Sequence, residues 1–377
     1  MTGPSPDISV VIPYFDAPRQ LALVLAGLDA QRLAPSRFEV VVADDGSPVP
    51  PRPGHHEYDV RVVDQPDLGF RAAAARNLGA AASGGRLLCF LDGDTVPEPD
   101  YLTATLTAAD ELGAVVLVGR RRHADLAEST PVQVRRWLRG DAGVAPRELP
   151  APRWLSDAYR RTDDLRNADD ESYRFVISAV MSMPRELFDA VGGFDERFVA
   201  YGGEDWELAN RCWLAGAALR HVPGAVAWHD GPGFAGRDID QQDMMDAQSM
   251  VLARLLPSPA HRPPGLVWRY PLVVVEVDDG GWRDIETTRC VAGLLRETDA
   301  GVWLADGHAA APGGPLSEDP RVHVGAPPPD VRARCRYVAR VTRPVDALRP
   351  GWHTDDSPTT EAMRVRHARG LRYAVAG

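Results

Sequence analysis

Three acidic clusters and one histidine in this 377-residue chain are of the right type and spacing for chemistry: Asp44-Asp45, Asp92-Gly93-Asp94, Glu204-Asp205 and His229. The first two clusters each follow a short apolar run, so their carboxylates are expected at the carboxyl ends of strands, where open α/β sheets place ligands. Oxygen ligands suit a hard cation such as Mg²⁺ or Mn²⁺, which neutralises a diphosphate leaving group, and neighbouring carboxylates suit a ribose or base edge. Acidic-glycine triplets are also common in turns, and only the position after an apolar strand favours the ligand reading. Glu204 and Asp205 open a helical segment, where carboxylates accept unpaired backbone N–H groups and complement the helix dipole. The same groups are suited to taking a proton from a hydroxyl, and the two roles are compatible. Trp206 reads equally as a stacking face for a sugar or as a core residue. His229 ends a strand-like run, 225–228, and reads as structural or as a metal ligand.

Composition narrows the chemistry. Fifty-three acidic against 42 basic residues give a net charge of −11, which argues against a nucleic-acid-binding surface and leaves nucleotides as small ligands. Every basic residue is arginine. Without lysine, Schiff-base chemistry, pyridoxal phosphate attachment and a Walker-type phosphate loop are excluded, and neutralising a diphosphate falls to a cation or to arginine. The four cysteines lie far apart with no Cys-x-x-Cys pair, so they read as reduced and buried. No run of eighteen apolar residues occurs, and the opening MTGPSPDISV lacks a basic region followed by an apolar one; the expectation is a cytoplasmic protein with no transmembrane segment. The arginines at 120–122 and 135–136 read as a solvated face, the alternatives being contact with an anionic acceptor or peripheral contact with a membrane surface.

The elements that must position these residues alternate. Apolar runs at 8–12, 38–43, 60–63 and 86–91 read as strands, and 19–31 and 71–82 as helices, which predicts an α/β domain with a mostly parallel central sheet. From 120 to 174 the pattern is weakly periodic and reads as helices and loops. A strand is expected over 175–183, a helix over 185–191, and another helix from 204 ending at Gly216. Prolines at 257, 259, 263 and 264 suggest a boundary between a catalytic domain over 1–260 and a smaller C-terminal α/β lobe over 266–377. That lobe echoes the beginning of the chain: Val273-Val274-Val275, a helix over 290–298, and Leu304-Ala305-Asp306-Gly307 resemble the first strand, helix and Asp-Gly turn. No second Asp-Gly-Asp follows, so a degenerate half-repeat and a chance likeness among αβ segments both stand.

Val10-Val11-Ile12-Pro13, Val42-Ala43-Asp44-Asp45-Gly46-Ser47, Arg76-Asn77-Leu78-Gly79, Leu91-Asp92-Gly93-Asp94 and Gly192-Gly193-Phe194-Asp195 occur in the order seen in family 2 glycosyltransferases. Gly202-Gly203-Glu204-Asp205-Trp206-Glu207-Leu208 completes the series and resembles chondroitin-polymerase-type and polypeptide N-acetylgalactosaminyltransferase-type domains. The resemblance covers about residues 7–235 and implies a GT-A (Rossmann-like) fold. It also implies a nucleotide-sugar donor, UDP-linked by preference, and transfer to a hydroxyl acceptor that the sequence does not identify. By the same resemblance Pro13, Asp44 and Asp45 lie along the nucleoside, Arg76 near its base or phosphates, and Asp92, Gly93, Gly203 and Trp206 around the donor. Asp94 and His229, with Asp92 nearby, would hold Mn²⁺ or Mg²⁺. Asp205 would be the general base of an inverting transfer and Glu204 would contact donor or acceptor hydroxyls. Stereochemistry stays open, because the polypeptide-modifying relatives retain configuration. Two other functions compete: a non-catalytic sugar-nucleotide-binding scaffold, which would be expected to lose these acids, and a sugar nucleotidyltransferase. The latter needs a glycine-rich basic loop after the first strand, where this chain has Pro13-Tyr14-Phe15-Asp16.

Overall fold

The structure, a computed structural model, describes residues 5–199, 202–232, 241–263, 265–296, 298–346 and 363–369. Two compact units divide the chain: residues 1–213 with 217–248, and residues 214–216 with 249–377. The division falls before the proline cluster. Arg262, inside that cluster, donates to the carbonyls of Ala253 and Tyr270 and so belongs to the second unit.

Among the described residues, the first unit contains a nine-stranded sheet: β1 Ile8–Tyr14, β2 Phe38–Asp44, β3 Asp59–Asp64, β4 Leu87–Leu91, β5 Thr95–Pro97, β6 Val115–Asp125, β7 Arg147–Leu149, β8 Val180–Pro184 and β9 Ala218–Asp230. Helices α1 Pro18–Leu28, α2 Ala72–Ala81, α3 Tyr101–Leu112, α4 Pro131–Leu138, α5 Arg153–Arg161, α6 Arg185–Val191 and α7 Glu204–Leu214 connect them. The spatial order is β3-β2-β1-β4-β8-β6-β9-β5, with β7 on β6. β2 and β4 are buried along their whole length and β1 at every residue but Pro13, and all three are mostly apolar, as central strands covered on both faces must be. The parallel expectation holds for β3, β2, β1 and β4. Beyond them the sheet is mixed, because β8 runs antiparallel to both β4 and β6.

Register brings the functional loops to one edge. Tyr14 pairs with Asp44 and Val11 with Phe90, so the chain leaves β1, β2 and β4 on the same side. Leu91 pairs with Val180, and the segment just before β8 therefore emerges beside Asp92. β5 follows Asp94 directly and pairs Thr95 with His229 of β9, which carries the histidine to the acidic triplet. α2 lies on β1 through Gly79, where an added Cβ would stand 2.4 Å from Val11 Cγ1.

Two sequence expectations need correction. Residues 120–125 are strand, the outer half of β6, and not helix or loop. Pairing with β9 holds them there, and Arg122 stacks its guanidinium 4.0 Å from the Trp228 ring, so arginine stems cover the strand where apolar side chains were sought. The strand expected over 175–183 starts only at Val180; Ser172–Phe175 is a 3₁₀ turn, and the backbone N–H of Ser178 is taken by Asp205 rather than by a ladder.

In the second unit the described strands are β10 Val273–Val277, β11 Ala300–Leu304, β12 Val322–Val324, β13 Tyr337–Val341 and β14 Met363–His367. Helices α8 Gln241–Leu255, α9 Asp284–Leu294 and α10 Pro329–Arg334 complete the elements, α8 carrying the chain from one unit into the other. The order β12-β11-β10-β13-β14, three parallel pairs and then one antiparallel, repeats β3-β2-β1-β4-β8 pair for pair. α9 occupies the place of α1 and α10 that of α2 in the chain order.

Gly79→Val is expected to destabilise the first unit by about 1–3 kcal/mol, the usual cost of overpacking a close contact. The shift of the urea midpoint measures it; an unchanged midpoint would mean that α2 moves off β1 freely.

Candidate active site

The site grows from the strand ends. Asp44 closes β2 and is buried; its Oδ1 accepts from the Ser47 N–H at 3.0 Å and the Ser47 hydroxyl at 2.5 Å, which fixes the turn through Gly46. Gly46 has φ +86° and lies against the Asp67 backbone, so this turn has no room for a side chain. Asp45 is also buried, and both its oxygens are engaged: Gln65 Nε2 donates at 2.5 Å and the Arg71 N–H at 2.7 Å. Asp45 thus braces the residues that lead into α2. Pro13 sits half-buried on β1 beside Ala43, and Gly93 lies close to the Pro13 carbonyl, where a Cβ would come to 3.2 Å.

The centre of the site is Arg76, carried on α2 and only 3% exposed. Its guanidinium donates to Asp92 Oδ1 at 2.7 Å and to Glu204 Oε1 at 2.9 Å, and it lies over the Phe194 ring. Burial works against its charge, but the two carboxylates outweigh that and hold it firmly protonated. Arg76 therefore ties the acidic turn after β4 to the first turn of α7, two segments 112 residues apart in the chain (204 − 92). Asn77 supports the same link: its amide oxygen accepts the Phe194 N–H, and its NH₂ donates to the Phe194 carbonyl and to Glu196. From the other side Arg211, paired with the fully buried Glu207, donates to the carbonyls of Val191 and Gly193. Together they clamp the Gly192-Gly193-Phe194 turn that ends α6.

At the start of α7, Glu204 is buried and its Oε2 has no hydrogen-bond partner, although Oε1 also accepts from the Ser178 hydroxyl at 3.4 Å. Asp205 is half-buried; its Oδ1 accepts the Trp206 N–H at 2.8 Å and its Oδ2 the Ser178 N–H at 3.2 Å. Burial and then the adjacent Glu204 charge push the Asp205 carboxyl up to about 7, against the pull of those two N–H groups and of Arg76. Such a carboxyl holds its proton in acid and is available as a base near neutrality. Gly203 is buried with φ +94°, and Trp206 is half-buried beside the pair.

Asp94 is half-buried, and its Oδ2 stands 3.3 Å from Nε2 of the buried His229. The His229 ring packs against His123, and both rings face the Gly231 carbonyl through Nδ1. That contact favours a proton on Nδ1 of His229, which turns the Nε2 lone pair toward the carboxylate. Two electron-rich atoms so placed are suited to sharing a cation. Arg76 takes Oδ1 of Asp92, and among the described residues no group of three His, Cys, Asp or Glu converges as a metal site. Ser178 and His123 were not singled out in the sequence: the first is hidden in an apolar run, and only the cross-strand pairing of His123 with His229 gives the second its place.

An open α/β sheet with acids at the carboxyl ends of its strands, a carboxylate–imidazole pair and a carboxyl of raised proton affinity is an arrangement suited to a polar ligand and to acid–base chemistry. The model of Glycosyl transferase family 2 matches residues 9–192, and that of the N-terminal domain of galactosyltransferase matches residues 168–228. Over residues 9–192, just under half of the chain, the protein is thus similar to family 2 glycosyltransferases. It is 28% identical over 318 residues to a chondroitin synthase of Pasteurella multocida (strain Pm70), covering 77% of this chain and 32% of that protein. It is 35% identical over 241 residues to a validoxylamine A glucosyltransferase of Streptomyces hygroscopicus subsp. limoneus, covering 58% of this chain and 50% of that protein. A hyaluronan synthase of Pasteurella multocida is 27% identical over 318 residues, again covering 77% of this chain and 32% of the relative. The chain thus spans between a third and a half of the length of these relatives.

Arg76→Met is expected to leave Asp92 and Glu204 facing an apolar stem and to cost about 3–5 kcal/mol, as breaking a buried ion pair does. Urea unfolding followed by circular dichroism measures it; a loss under about 1 kcal/mol would show that Arg76 does not hold the two loops together.

Proposed function

We propose that this protein transfers a sugar from a nucleotide-sugar, UDP-linked by preference, to a hydroxyl acceptor, with inversion and with Asp205 as general base. The observation that carries the reading is the Arg76 bridge. It joins the Asp92 turn, on the donor side by resemblance, to the Glu204-Asp205 pair, on the acceptor side, in one buried ionic frame. The relatives support the class: their names are those of a chondroitin synthase, a hyaluronan synthase and a glucosyltransferase acting on validoxylamine A.

In this reading the nucleoside lies along β1 and β2, against Pro13 and the Asp44 turn, with Gly93 and Gly203 admitting the donor closely and Trp206 facing its sugar. Asp94 and His229 would hold Mn²⁺ or Mg²⁺; their facing oxygen and nitrogen fit such an ion, which when bound neutralises the diphosphate leaving group. Glu204, with its unpartnered Oε2, accepts a hydrogen bond from a sugar hydroxyl. Asp205 takes the proton of the acceptor hydroxyl as that oxygen bonds to the anomeric carbon and the bond to the diphosphate breaks on the opposite face. Ser178 and Trp206 hold the Asp205 carboxylate in place through their N–H groups. The second unit has the strand order of the first five strands of the main sheet but no acidic triplet after β13. At its β11 end the N–H groups of Asp306 and Gly307 are taken by the buried Asp279 carboxylate. We read it as a degenerate half-repeat that does not itself transfer sugar.

Asp205→Asn retains the shape and most of the hydrogen bonding but cannot take a proton. Turnover is expected to fall about 10²- to 10⁴-fold with little change in UDP-sugar affinity. Near-normal transfer would leave Asp205 a helix cap alone. In the wild type the carboxyl must be ionised to act, so turnover is expected to rise with pH through about 7 and level off above it. A rate independent of pH between 5.5 and 8.5 would contradict this.

A separate expectation concerns the cation. Calorimetric UDP binding should need Mn²⁺ or Mg²⁺ and be lost with EDTA or in Asp94→Ala, whose fold stays intact; binding indifferent to both would remove Asp94 and His229 from the donor site.

A further inference from the structure

The second unit encloses a cavity of about 790 Å³, within the size range of small-ligand sites, roughly 300–1,000 Å³. It lies between the loop 259–272 and the segment entering β11, and nothing in the transfer chemistry uses it. Arg262 lines it and is 8% exposed. The guanidinium is locked: Nε donates to the Ala253 carbonyl at 2.7 Å, and Nη1 to the Tyr270 carbonyl at 2.6 Å and to Asp299 Oδ2 at 2.7 Å. Its Nη2 is buried with no acceptor among the described residues. An unsatisfied buried donor costs about 1–3 kcal/mol, so native proteins retain few, and a ligand oxygen at this point recovers the loss. The same guanidinium lies 5.0 Å from the Trp268 ring, and the rim is apolar, with Leu266 and Val267 more than half exposed.

Charge decides between ligand classes. Asp299 offsets Arg262, and Asp319 offsets Arg321, another lining residue, at 2.7 Å. A phosphate or carboxylate entering the cavity meets the Asp299 carboxylate, and a purely apolar ligand leaves Nη2 unpaired. A neutral sugar suits this lining: its hydroxyls donate to Asp299 and accept from Arg262, and its C–H face lies on an indole. We propose that this cavity is a binding site for a neutral saccharide, separate from the transfer site and independent of the transfer reading.

Calorimetry on the full chain with cellobiose and N,N′-diacetylchitobiose tests it, with inorganic phosphate run in parallel. At least one disaccharide is expected to bind, Trp268→Ala to weaken it about 10-fold, and Val267→Arg, which plugs the rim from an exposed position, to abolish it. UDP binding stays unchanged in Val267→Arg, which also serves as the decisive variant if Trp268→Ala does not fold. The proposal fails if neither disaccharide binds at millimolar concentration or if binding survives Val267→Arg. It fails equally if phosphate binds in place of sugar and is lost in that variant.

Discussion

One buried guanidinium organises the active site. Removing Arg76 from water is costly, and only two carboxylates in hydrogen-bond contact make it tolerable. The acidic turn after β4 and the first turn of α7 must therefore stay together for the unit to remain folded. The neighbours follow from that tie: Asn77, next along α2, clamps the Phe194 turn, and Arg211 with Glu207 closes the same turn from α7. Asp205 is left one residue beyond the bridge, beside a second carboxylate, and its raised affinity for a proton follows from burial first and then from that neighbouring charge. In the proposed transfer the ionic frame and the chemistry share their residues, which would account for acids that look excessive for either purpose alone.

Much of this was legible in the sequence. Apolar continuity marked β1, β2 and β4, and the acids at the ends of β2 and β4 marked the candidate ligand edge, because burial on both faces and a polar strand end are local properties. The echo in the last third of the chain was also legible, and the strand order β12-β11-β10-β13-β14 gives it a physical form that short αβ likenesses alone lacked. Other features depend on distant partners. The 120–125 strand is stabilised by β9, more than a hundred residues later, and by an arginine stacked on Trp228, so its local pattern reads as irregular. Ser178 acquires its role only because Asp205 takes its N–H. That the Asp45 carboxylate also braces the start of α2 is a demand that no local pattern around residue 45 reveals.

The two units share one strand order. In the first, acids stand at the strand ends; in the second, the corresponding turn is closed by Asp279 on backbone N–H groups, and a cavity lies instead beside Trp268. A site is made by the residues at the strand ends and not by the strand order that presents them.

The central claim, that the Arg76-bridged acids serve a sugar transfer from a nucleotide donor, is tested most directly by the product formed. Purified protein with Mn²⁺ is supplied with UDP-, GDP- and TDP-sugars and hydroxyl acceptors, and separately with UTP and sugar 1-phosphates. Acceptor-dependent release of nucleoside diphosphate, greatest with a UDP-sugar, is the predicted result. No release from any donor, or pyrophosphate released from UTP and a sugar 1-phosphate, would contradict the account.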